Sequence, residues 1–314
     1  MKYKAHQSFF VRKGWLSKGM RALKGNPCIF MPSNSKQAMD ELGLGSNQVV
    51  ALRYWLMAMG LMAKSSNGKE HEPTALMNLI FEKDRYVEEF GTLWALHYEL
   101  VCNKEEATSW YWLFNESKAK SFTKEDLSTG IKKYDEMYNV ENAASGKSTA
   151  LRSIEDDVDC ILRTYIPSEH LTGRESSPEN VIDSPLGDLG ILDIDNIAES
   201  GARDKNRQYR RKPAGQSKLP TSMVLYAILS QIEHSKESET PFGRELPIED
   251  LLTGRFSPGR LFNLDSVALL DRLYELENDG YLRLNRTAGS DVVRIEDPDM
   301  PRLTCLENYY ELIG

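Results

Sequence analysis

The chain has 314 residues, 40% of them hydrophobic and 27% charged, with a formal net charge of −8. That length suits two or three domains of about 100–150 residues. No run of about 18 apolar residues occurs, so no membrane helix is expected, and Phe9-Phe10-Val11 is too short for a signal-peptide core. A cytoplasmic protein with no membrane partner is therefore expected, with Cys28, Cys102, Cys160 and Cys305 as reduced, widely spaced thiols.

In chain order, residues 1–86 read as a winged helix. A helix is expected at 15–24, ended by Gly25-Asn26-Pro27, and a second at 33–42, closed by Gly43 and Gly45. Ser46 is a natural N-cap for a third helix to about Met59, with Val49, Leu52, Leu56 and Met59 as its buried stripe. Asn47, Gln48, Arg53 and Tyr54 lie on the other face, where a helix-turn-helix presents groups to the major groove. Residues 61–64, the turn Ser66-Asn67-Gly68 and residues 74–81 read as a hairpin wing.

Residues 87–167 read as a helical domain with a second helix-turn-helix-like pair. Helices are expected at 88–101, from Thr123 to about Tyr138, and from about Ser148 to Tyr165. The aromatic run Trp110 to Phe114 reads as core, because no cations interleave it. Residues 168–218 read as an irregular connector with an apolar anchor at 186–192 and a mobile basic tract. Residues 219–314 read as a second winged helix, with helices at 220–234, 246–252, 256–262 and 264–279 and a hairpin at 281–285 and 292–295. Its helix at 264–279 carries Asp265, Asp271, Glu275, Glu277 and Asp279 against Arg272, so it is expected to face protein or solvent. Arg283, Arg286 and Arg294 are the only plausible DNA contacts of that module. The expected fold class is thus mainly α, with winged-helix or helix-turn-helix modules and small β-hairpin wings.

Charge is unevenly spread. Residues 1–39 hold eight Lys or Arg and no acid, and residues 202–218 hold seven against Asp204. The remainder has 24 basic and 46 acidic residues, a net of −22, so a polyanion is drawn to two places. The opposing reading is a solvated basic surface that compensates an acidic body. In the opening run, aromatic anchors such as Phe9 and Trp15 hold the backbone while Arg12, Lys13, Lys18 and Arg21 reach phosphates. Arg207, Arg210, Arg211 and Lys212 of the second tract assist.

Other motifs point to no established chemistry. Ala144-Ser145-Gly146-Lys147-Ser148-Thr149 shares the end of a Walker A loop, but Glu141 stands where the first glycine is needed. His and Cys residues show no metal-binding spacing. Glu155, Asp156, Asp157 and Asp159 are weak catalytic candidates that offer carboxylates to Mg²⁺ or Mn²⁺, although a solvated helix face is the simpler reading.

Three stretches carry a family resemblance: His6 to Gly19, Leu42 to Leu56, and Asp157-Val158-Asp159 leading to Arg163-Thr164-Tyr165-Ile166-Pro167, with Ser184 to Gly190 also similar. They resemble the SspB family of the bacterial Ssp system, which places phosphorothioates on one DNA strand in anti-phage defence. The resemblance implies double-stranded DNA binding, strand nicking, and work beside a cysteine desulfurase, an ATPase and an ATP-pyrophosphatase-like sulfur-transfer protein. No recognised nuclease motif accompanies it. Two alternatives stand beside this reading: a non-catalytic DNA-binding adaptor or transcriptional regulator, and a protein-interaction scaffold without DNA contact.

Overall fold

The computed structural model describes residues 1–141, 148–172, 183–195, 207–236, 241–287 and 290–314. Gly146 and Lys147 of the loop-like stretch, and Arg203 and Lys205 of the basic tract, lie outside the described residues. The protein is mainly helical with small antiparallel sheets. It divides into two compact units, one of Met1–Glu88 with Glu99–Lys212, the other of Glu89–Tyr98 with Pro213–Gly314.

The first unit opens with α1 (Trp15–Gly25), α2 (Ser35–Leu42) and α3 (Ser46–Ala58). The expected stripe of Val49, Leu52, Leu56 and Met59 is buried, and Leu16, Met20 and Leu23 of α1 are buried too. Gly19 permits close approach of α1 and α3, since a Cβ there would stand 2.9 Å from a methyl of Leu56. Gly45, not Ser46, is the N-cap of α3, and the Gln48 side chain accepts the Gly45 N–H at 3.0 Å. The hairpin is shorter than expected: β1 (Met62–Lys64) pairs with β2 (His71–Pro73). Residues assigned to its second strand instead form α4 (Ala75–Lys83). Thr74 caps that helix by accepting the Met77 N–H at 3.1 Å, and Leu76, Met77 and Ile80 turn to one buried side.

The remainder of this unit comprises the end of α5 (Phe90–Cys102), then α6 (Thr108–Tyr111) running into a π-helical turn, β3 (Ser121–Phe122), α7 (Lys124–Glu141) and α8 (Leu151–Tyr165). Thr123 and Asp126 form the reciprocal cap expected at the start of α7. The aromatic run is core: Trp110, Tyr111, Leu113 and Phe114 are all buried. After α9 (Ser168–Thr172), β4 (Leu192–Ile194) and β5 (Tyr209–Arg211) complete a sheet in the order β3-β5-β4. The end of the basic tract is therefore a central strand and not a mobile segment. Tyr209, Phe122 and Leu192 bury against the unit and hold that strand in place.

In the second unit, α10 (Thr221–Ser235) is buried along nearly its whole length. β6 (Glu245–Pro247), α11 (Ile248–Thr253), α12 (Pro258–Leu261), α13 (Ser266–Asn278), β7 (Leu282–Thr287) and β8 (Ser290–Ile295) follow, with strand order β6-β8-β7. Leu246, Leu282, Val293 and Ile295 form the buried side of that sheet. The expected helix at 246–252 is divided here, because Leu246 enters the sheet before Ile248 starts α11. A last helix, α14 (Leu303–Ile313), packs on α10 and has no counterpart among the expected elements.

Candidate nucleic-acid interface

The residues before α1 form no helix or strand of their own, yet they are tightly held. The terminal amine bonds Glu105 at 2.8 Å, and the Lys2 N–H donates to the Thr108 hydroxyl at 3.1 Å. Phe9 accepts the Trp55 indole N–H at 3.0 Å, and the Lys13 N–H reaches the Asp183 carbonyl at 3.0 Å. Lys4, Gln7 and Ser8 have φ of 56°, 51° and 62°. Each left-handed residue costs about 1 kcal/mol, so the strand of contacts must over-determine the path.

At the centre is a buried ion pair. His6 Nε2 lies 2.8 Å from Asp157 Oδ1, and both side chains are almost fully enclosed. The same carboxylate accepts the Lys4 N–H at 2.7 Å and the Ser109 hydroxyl at 2.5 Å. The His6 ring sits among Tyr54, Trp55 and Trp110. Burial opposes a charged ring here, but the Cys160 sulfur and the Asp157 carboxylate prevail and raise His6 to about 10. No role was assigned to His6 from the sequence. The available signal was Asp157 itself, an acid on the α8 face that also carries Ile154, Val158 and Ile161.

Part of the basic opening is matched by acids. Lys2 pairs with Glu106 at 2.5 Å, Lys4 with Asp156 at 2.5 Å and Lys13 with Asp188 at 2.7 Å. Arg12, Lys18 and Arg21 have no carboxylate partner among the described residues. Arg12 lies over the rings of Phe10 and Trp15, at 5.7 and 5.6 Å from their centroids. Trp15 is 6% exposed, so it supports Arg12 from beneath. Arg12, Lys13, Tyr86 and Val87 line a cavity of ≈ 310 Å³. Lys18 and Arg21 are exposed along α1 and line a second cavity of ≈ 340 Å³ with Asp40 and Glu41.

On α3, Asn47 is exposed, Gln48 is occupied by the cap, and Arg53 Nε donates to His71 Nε2 at 3.2 Å. Burial, then the Arg53 charge, lowers His71 below its ordinary value. The second basic tract is largely engaged within the unit. Arg207 donates to the Leu171 carbonyl at 2.5 Å, and Lys212 pairs with Asp193 at 3.2 Å. Arg211 donates to the Leu113 and Ser117 carbonyls and lies over Phe114. Arg210 points the other way along the strand and is exposed.

The four acids of α8 are not brought together. Asp157 holds His6, Asp156 pairs with Lys4, Asp159 pairs with Lys124 at 2.9 Å, and Glu155 faces outward. Their carboxylates do not fit a shared site for a divalent cation. Among the described residues, no three His, Cys, Asp or Glu side chains stand close enough to hold a metal ion.

A family model described as "Protein of unknown function (DUF4007)" matches residues 3–310. The chain belongs to the DUF4007 family. Two solved structures are similar to this DUF4007 chain. One, "SspB crystal structure", is 24% identical with a TM-score of 0.80, and the other, "Magnesium ion-bound SspB crystal structure", is 25% identical with a TM-score of 0.81. Each match covers 99% of this chain and 88% of the other. No curated protein matches it. The DUF4007 chain is thus SspB-like from end to end, and among its described residues no helix is long and apolar enough to cross a membrane.

Proposed function

We propose that this DUF4007 protein is the DNA-engaging component of a bacterial phosphorothioation system. The observation that carries the reading is its likeness to SspB structures over 99% of its length. Supporting it, Arg12, Lys18, Arg21 and Lys24 leave four cations on or beside α1 without carboxylate partners among the described residues, and Arg210 adds an exposed cation on β5. In each unit consecutive helices are followed by a hairpin: α2 and α3 before β1–β2, and α11, α12 and α13 before β7–β8. That order, with β6 joining β8, supports a winged-helix reading of 1–86 and 219–314, beside a helical domain at 87–167 and a connector at 168–218. Arg12 offers a planar fork to phosphate or guanine, while Lys18 and Arg21 neutralise phosphates, and Asn47 and Arg53 stand on the helix that would enter the groove.

Strand nicking enters through the resemblance alone, since Glu155, Asp156, Asp157 and Asp159 offer Mg²⁺ or Mn²⁺ no common shell. The partners in this reading are duplex DNA and the desulfurase, ATPase and sulfur-transfer proteins of the system. A second reading is favoured by the internal engagement of Lys2, Lys4, Lys13, Arg207, Arg211 and Lys212: these cations balance acids and carbonyls, and the protein is a scaffold. Supercoiled plasmid with and without Mg²⁺ or Mn²⁺, beside a salt-titrated duplex-binding assay, separates the outcomes. Open-circular product with metal marks a nickase, and binding without product an adaptor. Absence of binding at low salt leaves the scaffold.

A further inference from the structure

We propose that the outward face of α13 is a docking surface for a partner protein presenting an apolar segment bordered by lysine or arginine. The choice of probe proteins rests on the functional reading above; the surface itself does not.

The buried side of α13 is formed by Leu269, Leu273 and Leu276. Opposite them, Val267, Asp271, Tyr274 and Asn278 recur at steps of three and four and form one outward stripe. Val267 is 66% exposed and Tyr274 42%, and half-buried Leu270 flanks them. Their border is acidic, with Asp265 before the helix, Asp271 and Glu275 on it, and Asp279 after it. The one cation of the helix does not face out. Arg272 is 12% exposed at its side chain and bonds the Gln216 carbonyl at 2.6 Å, the Thr221 hydroxyl at 3.1 Å and Glu275 at 2.8 Å.

Charge selects the occupant. Phosphates are repelled by a face whose outward charges are all negative. A second copy docked by the same face would set acid against acid across the two-fold axis. A basic-bordered apolar segment satisfies both features: its aliphatic groups cover Val267 and Tyr274, and its cations meet Asp265, Asp271 and Asp279.

The test uses the full-length protein and measures binding to the purified cysteine desulfurase, ATPase and sulfur-transfer protein, and to a synthetic amphipathic Leu/Lys helix. At least one protein is expected to bind, with affinity falling as salt rises. Val267→Asp and Tyr274→Ala should each weaken that complex by about tenfold or more. Asp271→Lys should weaken it and flatten the salt dependence. All three variants should melt like wild type and leave duplex-DNA affinity unchanged. The proposal is overturned if none of the probes binds, or if the variants bind as wild type does. It is equally overturned if Val267→Asp instead dissolves a homodimer in light scattering or alters DNA affinity. Loss confined to the docking variants, in a protein that binds no DNA at all, would remove the DNA reading and leave this surface standing.

Discussion

The two units each place consecutive helices ahead of a short hairpin, and they dress the last of them in opposite ways. In the first, α3 holds one arginine and no acid, and α1 beside it presents Lys18 and Arg21. In the second, α13 holds Asp271, Glu275 and Glu277, and its arginine is turned inward. The backbone pattern therefore says little about what is bound. The sign of the outward charge decides it, because desolvation and Coulomb terms act on side chains while the framework is held by apolar burial. The interiors differ in the same sense. The first unit encloses a charged histidine against a carboxylate, and the second encloses a neutral one, His97, whose Nε2 lies 3.0 Å from the Leu261 carbonyl.

The largest expected effect comes from taking the ion pair apart. Asp157→Ala leaves an imidazolium uncompensated and should cost about 3–5 kcal/mol of stability, read from denaturant midpoints. His97→Phe in the second unit strands no charge and should cost clearly less. Equal losses would mean that the two interiors are not built differently.

Titration separates the same two histidines without mutation. His6 is raised to about 10, so its contribution is complete below its unfolded value of about 6.5 and is lost as pH climbs toward 10. His97 is lowered to about 4 by burial, so its contribution is complete above about 6.5 and is lost as pH falls toward 4. Urea midpoints across this range should show an alkaline limb that vanishes in His6→Gln and an acid limb that vanishes in His97→Phe. A limb that survives its own substitution argues against the assignment.

Close packing should matter similarly in both units. A Cβ at Gly130 would stand 2.3 Å from the Trp112 ring, and one at Gly91 would stand 2.3 Å from the Tyr309 ring. Each Gly→Ala change should cost about 1–3 kcal/mol, measured by thermal melting. Neutral behaviour at either site would show that its aromatic ring has room to move.

Smallest and most specific is the charge test. Arg12→Ala, Lys18→Ala and Arg21→Ala should each lower the log–log salt slope by about 0.9 and weaken duplex binding. Arg283→Ala on the second hairpin, where Arg283 pairs with Glu296 at 2.6 Å, should leave it unchanged. A larger loss at Arg283 than at Lys18 would reverse the assignment of DNA to the first unit.

Much of the framework was legible in the chain alone. The apolar steps of α3, the Thr123–Asp126 cap of α7 and the acidic face of α13 are local patterns, and local patterns survive folding. The errors lie where two local rules compete. Residues 74–81 carry β-branched and aromatic side chains that suit a strand, yet the Thr74 cap starts α4; residues 246–252 are helical by period, yet Leu246 joins a sheet edge.

The site shows the same boundary more sharply. An acid-free opening and an acid-rich body can be counted in the chain, and they set where cations and anions are available. Which cations are engaged is a matter of distance across more than a hundred residues. Lys2 meets Glu106, Lys4 meets Asp156 and His6 meets Asp157 only because the opening segment docks on α8 and the turn before α6. Composition supplies the charges, but Coulomb energy falls with separation and rises with burial, and both are properties of the folded chain. Arg12, Lys18 and Arg21 stand apart from Lys2, Lys4 and Lys13 for that reason, and Asp157 changes from a candidate metal ligand into the anchor of the segment that carries them.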